Sequence, residues 1–310
     1  MKSATGGAPR FHKPALMINA ASGSASDIRE AARALFAEHG MELRAEHLQP
    51  DEIADTVDDI FSDGCDLFVS FGGDGTSRAS GERCAKEDVA FVPLPGGTMN
   101  MLPKLLYGDV GWEQALRAAL VSEVRWHPRG EAVVAGGKAV SFFCGGYLGQ
   151  VTRVNEAREE LRDGGVGEAV GKLGEVVSDV DLRHRLRFGP PEAPRAHVAN
   201  VVDLQMPGMS ERVPYQGEGG NFFDIAGAEV EGALDVARLG LLAATGDWKA
   251  DASAVSLLLR EAVIDQVDDC PHALWDGEPT DMDCPITVRL IERGVRVLAP
   301  DLAPGTVRAP

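Results

Sequence analysis

The stretch VSFGGDGTSRAS, Val69–Ser80, leaves a short apolar run through Gly72, Gly73, Asp74, Gly75 and Thr76. A tight turn uses one or two glycines. Three of them around a carboxylate make a loop that can press its backbone N–H groups against something large and anionic. The acid is then left for a metal or a proton. Just upstream, DLFVSF (66–71) reads as a strand buried on both faces, and downstream TSRASGERCAK (76–86) reads as a helix. Strand, glycine loop and helix in that order are the building unit of a parallel α/β sheet.

The pattern repeats on either side. PALMIN (14–19) is a strand, and DIREAARALFAEHG (27–40) sets Ile28, Ala31, Ala32, Leu35 and Phe36 on one helical face. Asp27 with Glu30 reads as a capping box and Gly40 as the stop. MELRAEHL is a second strand, and PDEIADTVDDIFSDG a helix with Ile53, Val57, Ile60 and Phe61 inward. VAFVPL is a fourth strand and WEQALRAALVS a further helix. Strand and helix alternating over residues 14–122 predict a helix-covered parallel sheet.

The texture changes near Val124. EAVVAGGKAVSFF reads as a hairpin turning at Ala135–Gly137, and ITVRLIERGVRVLAP as another turning near Arg293–Gly294. Between them AHVANVVDLQM, GNFFDIAGA and ALDVARLGLLAA are short and rich in β-branched or aromatic residues, the pattern of an antiparallel sandwich. Two segments read as helical interruptions: residues 152–180, with a Gly164–Gly165 break suited to a lid, and DASAVSLLLREAVI (251–264). The expected organisation is a flexible tail (1–13), an α/β domain (14–123), a mainly antiparallel β-sandwich domain (124–300) and a C-terminal tail (301–310).

Composition narrows the function. The 310 residues are 44% hydrophobic and 25% charged, ordinary for a globular protein that buries a real core. A formal net charge of −18 argues against a bulk nucleic-acid binder, since little would offset phosphate repulsion. No apolar run approaches the roughly 20 residues needed to span a bilayer. Five cysteines without CxxC spacing read as reduced thiols of a cytoplasmic protein.

Ligands of open α/β sheets sit beyond the carboxyl ends of the strands. Three loops there share a composition: NAASGSAS after the first strand, GGDGTS after the third and PLPGGTMNML (93–102) after the fourth. Each offers backbone N–H groups at a helix start together with hydroxyls or amides, the chemistry of a phosphate cradle. A lone GGDGT is also what a tight strand-to-helix turn with an N-cap aspartate would show. Three such loops in one sheet outweigh that reading. There is no GxxxxGK[ST], so this is not a P-loop, and no GxGxxG follows the first strand.

The order Asn19–Ala–Ala–Ser22–Gly23, then Gly72–Thr76, then Pro95-Gly96-Gly97-Thr98-Met99-Asn100, then Asp276-Gly277-Glu278, resembles the diacylglycerol kinase catalytic family. That family takes in bacterial lipid kinases and sphingosine kinases and is more distantly similar to NAD kinases. The resemblance covers about residues 14–300. It implies a nucleotide-binding α/β domain, a lipid-acceptor β-sandwich domain, and ATP with Mg²⁺ as cofactors. By position it implies that Gly72, Gly73, Asp74, Gly75, Thr76, Gly97, Thr98 and Asn100 bind ATP phosphates, with Asn19, Ser22 and Gly23 flanking the nucleotide. Asp74 would face magnesium and the reacting phosphoryl group, and Glu278 would be the general base for a lipid hydroxyl.

Three departures stand out. Ala20 replaces the proline usual in the family's first loop. Glu231-Gly232 stands where an Asp-Gly pair usually supplies a structural magnesium site, which makes Glu231 the metal candidate there. Met101-Leu102-Pro103 replaces an Asp-Phe-Ala type run and suggests a different acceptor. The expected protein is therefore an ATP- and Mg-dependent lipid kinase, cytoplasmic with transient membrane attachment. Its acceptor would be a lipid at the membrane surface, most simply diacylglycerol or a related lipid alcohol, with no nucleic acid; a homodimer is left open. The alternatives are a kinase of a soluble acceptor, as NAD kinases are, and a nucleotide-sensing protein with a degenerate site. Arg78 and Lys104 are further phosphate candidates, and the basic run RHRLRF (183–188) reads either as a solvated strand face or as a headgroup contact.

Overall fold

The computed structural model describes residues 10–19, 25–48, 53–62, 64–134, 136–149, 185–229, 248–266 and 273–307. The chain forms two compact units. The first takes in residues 1–129, 208–220 and 291–310, and the second residues 130–207 and 221–290.

In the first unit the elements run β1 (Pro14–Asn19), α1 (Ala25–Glu38), β2 (Arg44–Leu48), α2 (Ile53–Ser62), β3 (Leu67–Gly72), α3 (Asp74–Glu87), β4 (Ala90–Pro95), α4 (Met101–Tyr107) and α5 (Trp112–Leu120). The strands lie in the order β2-β1-β3-β4, every pairing parallel. All six residues of β3 are buried, as its unbroken apolar run requires. Asp66, at the head of β3, accepts the backbone N–H groups of His12 (2.6 Å) and Lys13 (2.9 Å), which fixes the start of β1. Ile28, Ala32, Leu35 and Phe36 of α1 and Val57 and Ile60 of α2 are buried, as their spacing predicts. Gly40 ends α1 at φ +70°. Asp27, however, lies inside the first turn of α1, not before it, so it is not the N-cap of a capping box with Glu30. The short helix α4 holds Pro103 in its first turn, where the missing N–H costs no intrahelical bond.

The chain then enters β5 (Val124–Val134), β6 (Ala139–Phe142), β7 (Gly145–Gly149), β8 (Leu186–Gly189), β9 (His197–Ala199), β10 (Val201–Gln205), β11 (Phe223–Ala228), β12 (Ala254–Leu259), β13 (Glu261–Gln266), β14 (Ala273–Trp275), β15 (Glu278–Thr280) and β16 (Ile286–Leu298). The second unit holds an antiparallel six-stranded sheet, β12-β11-β10-β7-β14-β15. Against it pack β6 and the run from the first residues of β16 through β13 and β8 to β9. The Phe142 ring stacks on Trp275 (4.7 Å between centroids) and Phe223 (5.9 Å), so aromatic rings from both layers fill the sandwich core. The expected hairpin β5–β6 forms, with Glu131 opposite Ser141.

Two expectations are corrected. DASAVSLLLREAVI is not a helix but the strands β12 and β13, joined at Arg260. Its leucines fit either period, and pairing with β11 on one side and β16 on the other decides the matter. ITVRLIERGVRVLAP does not turn at Gly294; it is the single strand β16. A Cβ on Gly294 would sit 2.4 Å from the backbone nitrogen of Arg129, so that glycine serves a close approach of β5, not a reversal. The helical reading of 152–180, the strand reading of 233–244 and the basic residues Arg183 and His184 lie outside the described residues. Of the remaining basic run, Arg185 pairs with Glu229 (3.6 Å) and Arg187 sits on β8 opposite Asp265.

Candidate active site

Gly72 pairs with Pro95 across β3 and β4, so the loops that leave the two strands emerge side by side. Gly96 N–H donates to the Gly72 carbonyl at 2.9 Å. A Cβ on Gly97 would stand 2.6 Å from the Cα of Gly73, and one on Gly96 2.8 Å from the Gly72 nitrogen. These two glycines are required because one loop lies backbone-on-backbone against the other. Gly73 differs. It is the N-cap of α3 at an ordinary φ of −81°, and a Cβ there would meet nothing closer than 3.7 Å. The fold has no need of glycine at 73.

Asp74 opens α3 but turns its carboxylate to the other loop. Its two oxygens accept the N–H groups of Asn100 (3.0 Å) and Met101 (2.6 Å) at the start of α4. Burial pushes the Asp74 carboxyl above the usual carboxylate range, against the lowering pull of the Met101 and Asn100 N–H groups and of Lys104. Asn100, at φ +52°, folds its side chain back into its own loop. Its Oδ1 accepts from Gly96 N (3.1 Å) and Gly97 N (2.8 Å), and its Nδ2 donates to the Gly97 carbonyl (2.7 Å). Asn19, at the end of β1, donates from Nδ2 to the buried Thr76 hydroxyl oxygen at 2.8 Å. Thr98 is exposed at the tip of its loop, and Gly75 lies in the first turn of α3.

The sequence-predicted residues Asn19, Gly72, Gly73, Asp74, Gly75, Thr76, Gly97, Thr98 and Asn100 thus gather at the carboxyl end of one parallel sheet. Asn100 and Thr76 engage the framework of the site, a role their residue types did not announce. Ser22, Gly23 and Glu231 lie outside the described residues. Among the described residues no cluster of three or more His, Cys, Asp or Glu side chains could hold a metal by itself. A carboxylate has about four lone-pair directions, and Asp74 gives two to N–H groups. That fits magnesium, which binds through one or two carboxylates and takes its other ligands from water and substrate phosphates.

Glu278 belongs to the second unit. Trp275 and Glu278 face each other across the β14–β15 hairpin, with Asp276 (φ +52°) and Gly277 (φ +85°) as its two-residue turn. Positive φ at both positions is the type I′ geometry that an Asp-Gly pair favours. Asp276 is 4% exposed and its carboxylate accepts three backbone N–H groups: Phe143 (2.7 Å), Cys144 (2.8 Å) and Gly145 (3.0 Å). This anchor was not assigned from the sequence, though the Asp-Gly spelling of a tight hairpin marks the position. It leaves Glu278 exposed on a turn that is itself held fast. Elsewhere in the same unit Lys249 Nζ lies between Asp203 (2.8 Å) and Asp224 (3.0 Å), all three nearly sealed from solvent.

The family model of the diacylglycerol kinase catalytic domain matches residues 13–129, the stretch that carries both glycine loops. Two solved structures from Bacillus anthracis str. Sterne, each described as a putative diacylglycerol kinase, align over 94% of this chain and 98% of theirs. They do so at 16% identity with TM-scores of 0.68 and 0.69. At that identity they bear on the fold, an α/β region followed by antiparallel β-structure. No curated protein sequence matches. Residues 13–129 match the diacylglycerol kinase catalytic domain, and the enzyme class that this domain defines is a kinase, a phosphotransferase.

Proposed function

We propose that the chain is an ATP- and Mg-dependent lipid kinase that transfers the γ-phosphoryl group to a lipid hydroxyl, diacylglycerol or a related lipid alcohol. The observation that carries this reading is the pair of glycine loops packed backbone-on-backbone, with a glycine at 73 that the fold itself does not demand. Close approach of a phosphate chain explains that glycine, and the N-terminus of α3 favours the negative charge.

Phosphoryl transfer asks the protein chiefly to align the reactants and to neutralise charge. Magnesium, when bound, would supply neutralisation of the phosphate charge. Asp74 is the residue that would hold it. Glu278 would accept the proton of the attacking hydroxyl, whose own pKa lies far above 7. Among the described residues no helix is long and apolar enough to cross a membrane. The acceptor would therefore be met by transient attachment to the bilayer surface. A labelled-ATP transfer assay against an extracted lipid pool, with NAD and soluble alcohols as parallel acceptors, tests the reading. Label should appear in a lipid, and label found only in a soluble acceptor would overturn the lipid assignment.

A further inference from the structure

Arg78 is the fifth residue of α3, one turn beyond Asp74. It is half-buried, and its Nε is sealed from solvent with no hydrogen-bond partner. Among the described residues no carboxylate lies within ion-pair distance of it, although the chain has 48 acidic residues against 30 lysines and arginines. The other arginine of the same helix shows the contrast: Arg83 pairs with both Asp58 and Glu87. A guanidinium keeps its charge at every accessible pH, and partial burial without a counter-charge is costly.

Geometry suggests what would offset that cost. Residues four apart share a helix face, and side chains on a helix lean toward its N-terminus. An arginine at 78 can therefore lean back over the first turn of α3. The distance to be covered is about 6 Å, four residues at 1.5 Å rise, which an extended arginine spans. Asp74 does not meet it there, because its carboxylate is turned to Asn100 and Met101. What remains at that end of the helix is the open backbone of Gly73.

We propose that Arg78 binds the terminal phosphate of the nucleotide, its planar fork taking two phosphate oxygens in a bidentate contact. The inference rests on the kinase reading and deepens it: α3 would supply the backbone N–H groups, the metal-facing acid and a fixed cation for the transferred group. Lys104 is a weaker candidate for that place, since it lies 3.9 Å from Asp109.

The test measures binding of Mg-ATP and of adenosine to the full chain and to Arg78→Gln and Arg78→Lys, with thermal unfolding as the control of folding. Arg78→Gln should weaken Mg-ATP binding tenfold or more and leave adenosine binding unchanged. Arg78→Lys, which keeps the charge but not the fork, should fall between Arg78→Gln and the parent, and it carries the test if the glutamine variant does not fold. If the parent binds Mg-ATP and both variants match it, Arg78 is a framework residue and the inference fails. An equal loss for ATP and adenosine would refute it as well, as damage to the whole site. A parent that binds neither nucleotide nor nucleoside would remove the kinase reading itself, and this inference with it.

Discussion

Asp74 and Asp276 use the same device in two different units. Each is an aspartate at the exit of a strand whose carboxylate accepts backbone N–H groups from a neighbouring loop. Asp276 is sealed and takes three of them, and its hairpin is locked. Asp74 is half-buried and takes two, which leaves lone pairs uncommitted beside a glycine the fold does not require. The fully used carboxylate is architecture. The partly used one is where a ligand can still be bound.

The largest effect expected concerns the residue that the Asp276 anchor presents. Glu278→Gln keeps the shape of the exposed side chain and removes a proton acceptor. Phosphoryl transfer to the acceptor lipid should slow by roughly 10²–10⁴, with Mg-ATP affinity nearly intact. Normal turnover would remove Glu278 from the chemistry and leave Asp74 as the candidate base.

Next come the two aspartates themselves. Asp276→Asn puts an amide where three N–H groups need acceptors, and should cost about 2–3 kcal/mol of stability, read as a lower urea midpoint. Asp74→Asn should cost less, about 1–2 kcal/mol, because water can reach part of its loop. Its main loss should be magnesium-dependent ATP binding, partly rescued by excess magnesium. If the two variants lost stability and ATP binding in the same proportion, the distinction between them would collapse.

The last effect shows only in acid and concerns a group outside both loops. His127 on β5 is 2% exposed, and burial lowers its pKa to about 4 from the usual value of about 6.5. The folded state then binds fewer protons than the unfolded one between those values. Its contribution is therefore complete above pH 6.5, is lost as pH falls toward 4 at roughly 1.4 kcal/mol per unit, and changes no further below that. His127→Leu should flatten this part of the stability profile. An unchanged slope would assign the acid loss to other groups.

Much of the first unit was legible because its signals are local. The buried run of β3, the period of α1 and the glycines after β3 and β4 each depend on neighbours in sequence. The misreadings share a cause: partners distant in sequence decided the outcome. Leu257–Leu259 fit a helix until β11 claims them as a strand. Gly294 reads as a turn until Arg129, far upstream, is found against it. Residues 208–220 join the first unit from the middle of the second, as in the Tyr215–Thr306 bridge, and no local pattern encodes that return. In the candidate site the residue types were readable, but their use was not. That Asn100 is folded into its own loop while Gly73 stands open is a matter of side-chain direction.

The most direct measurement is Mg-ATP affinity in a folded Gly73→Val protein. A Cβ at 73 meets only ordinary contact, so the protein should still fold, with no more than the modest loss in thermal unfolding that valine costs at an N-cap, while Mg-ATP binding should be lost. A folded Gly73→Val protein that binds Mg-ATP as the parent does would contradict the placement of the nucleotide on this loop.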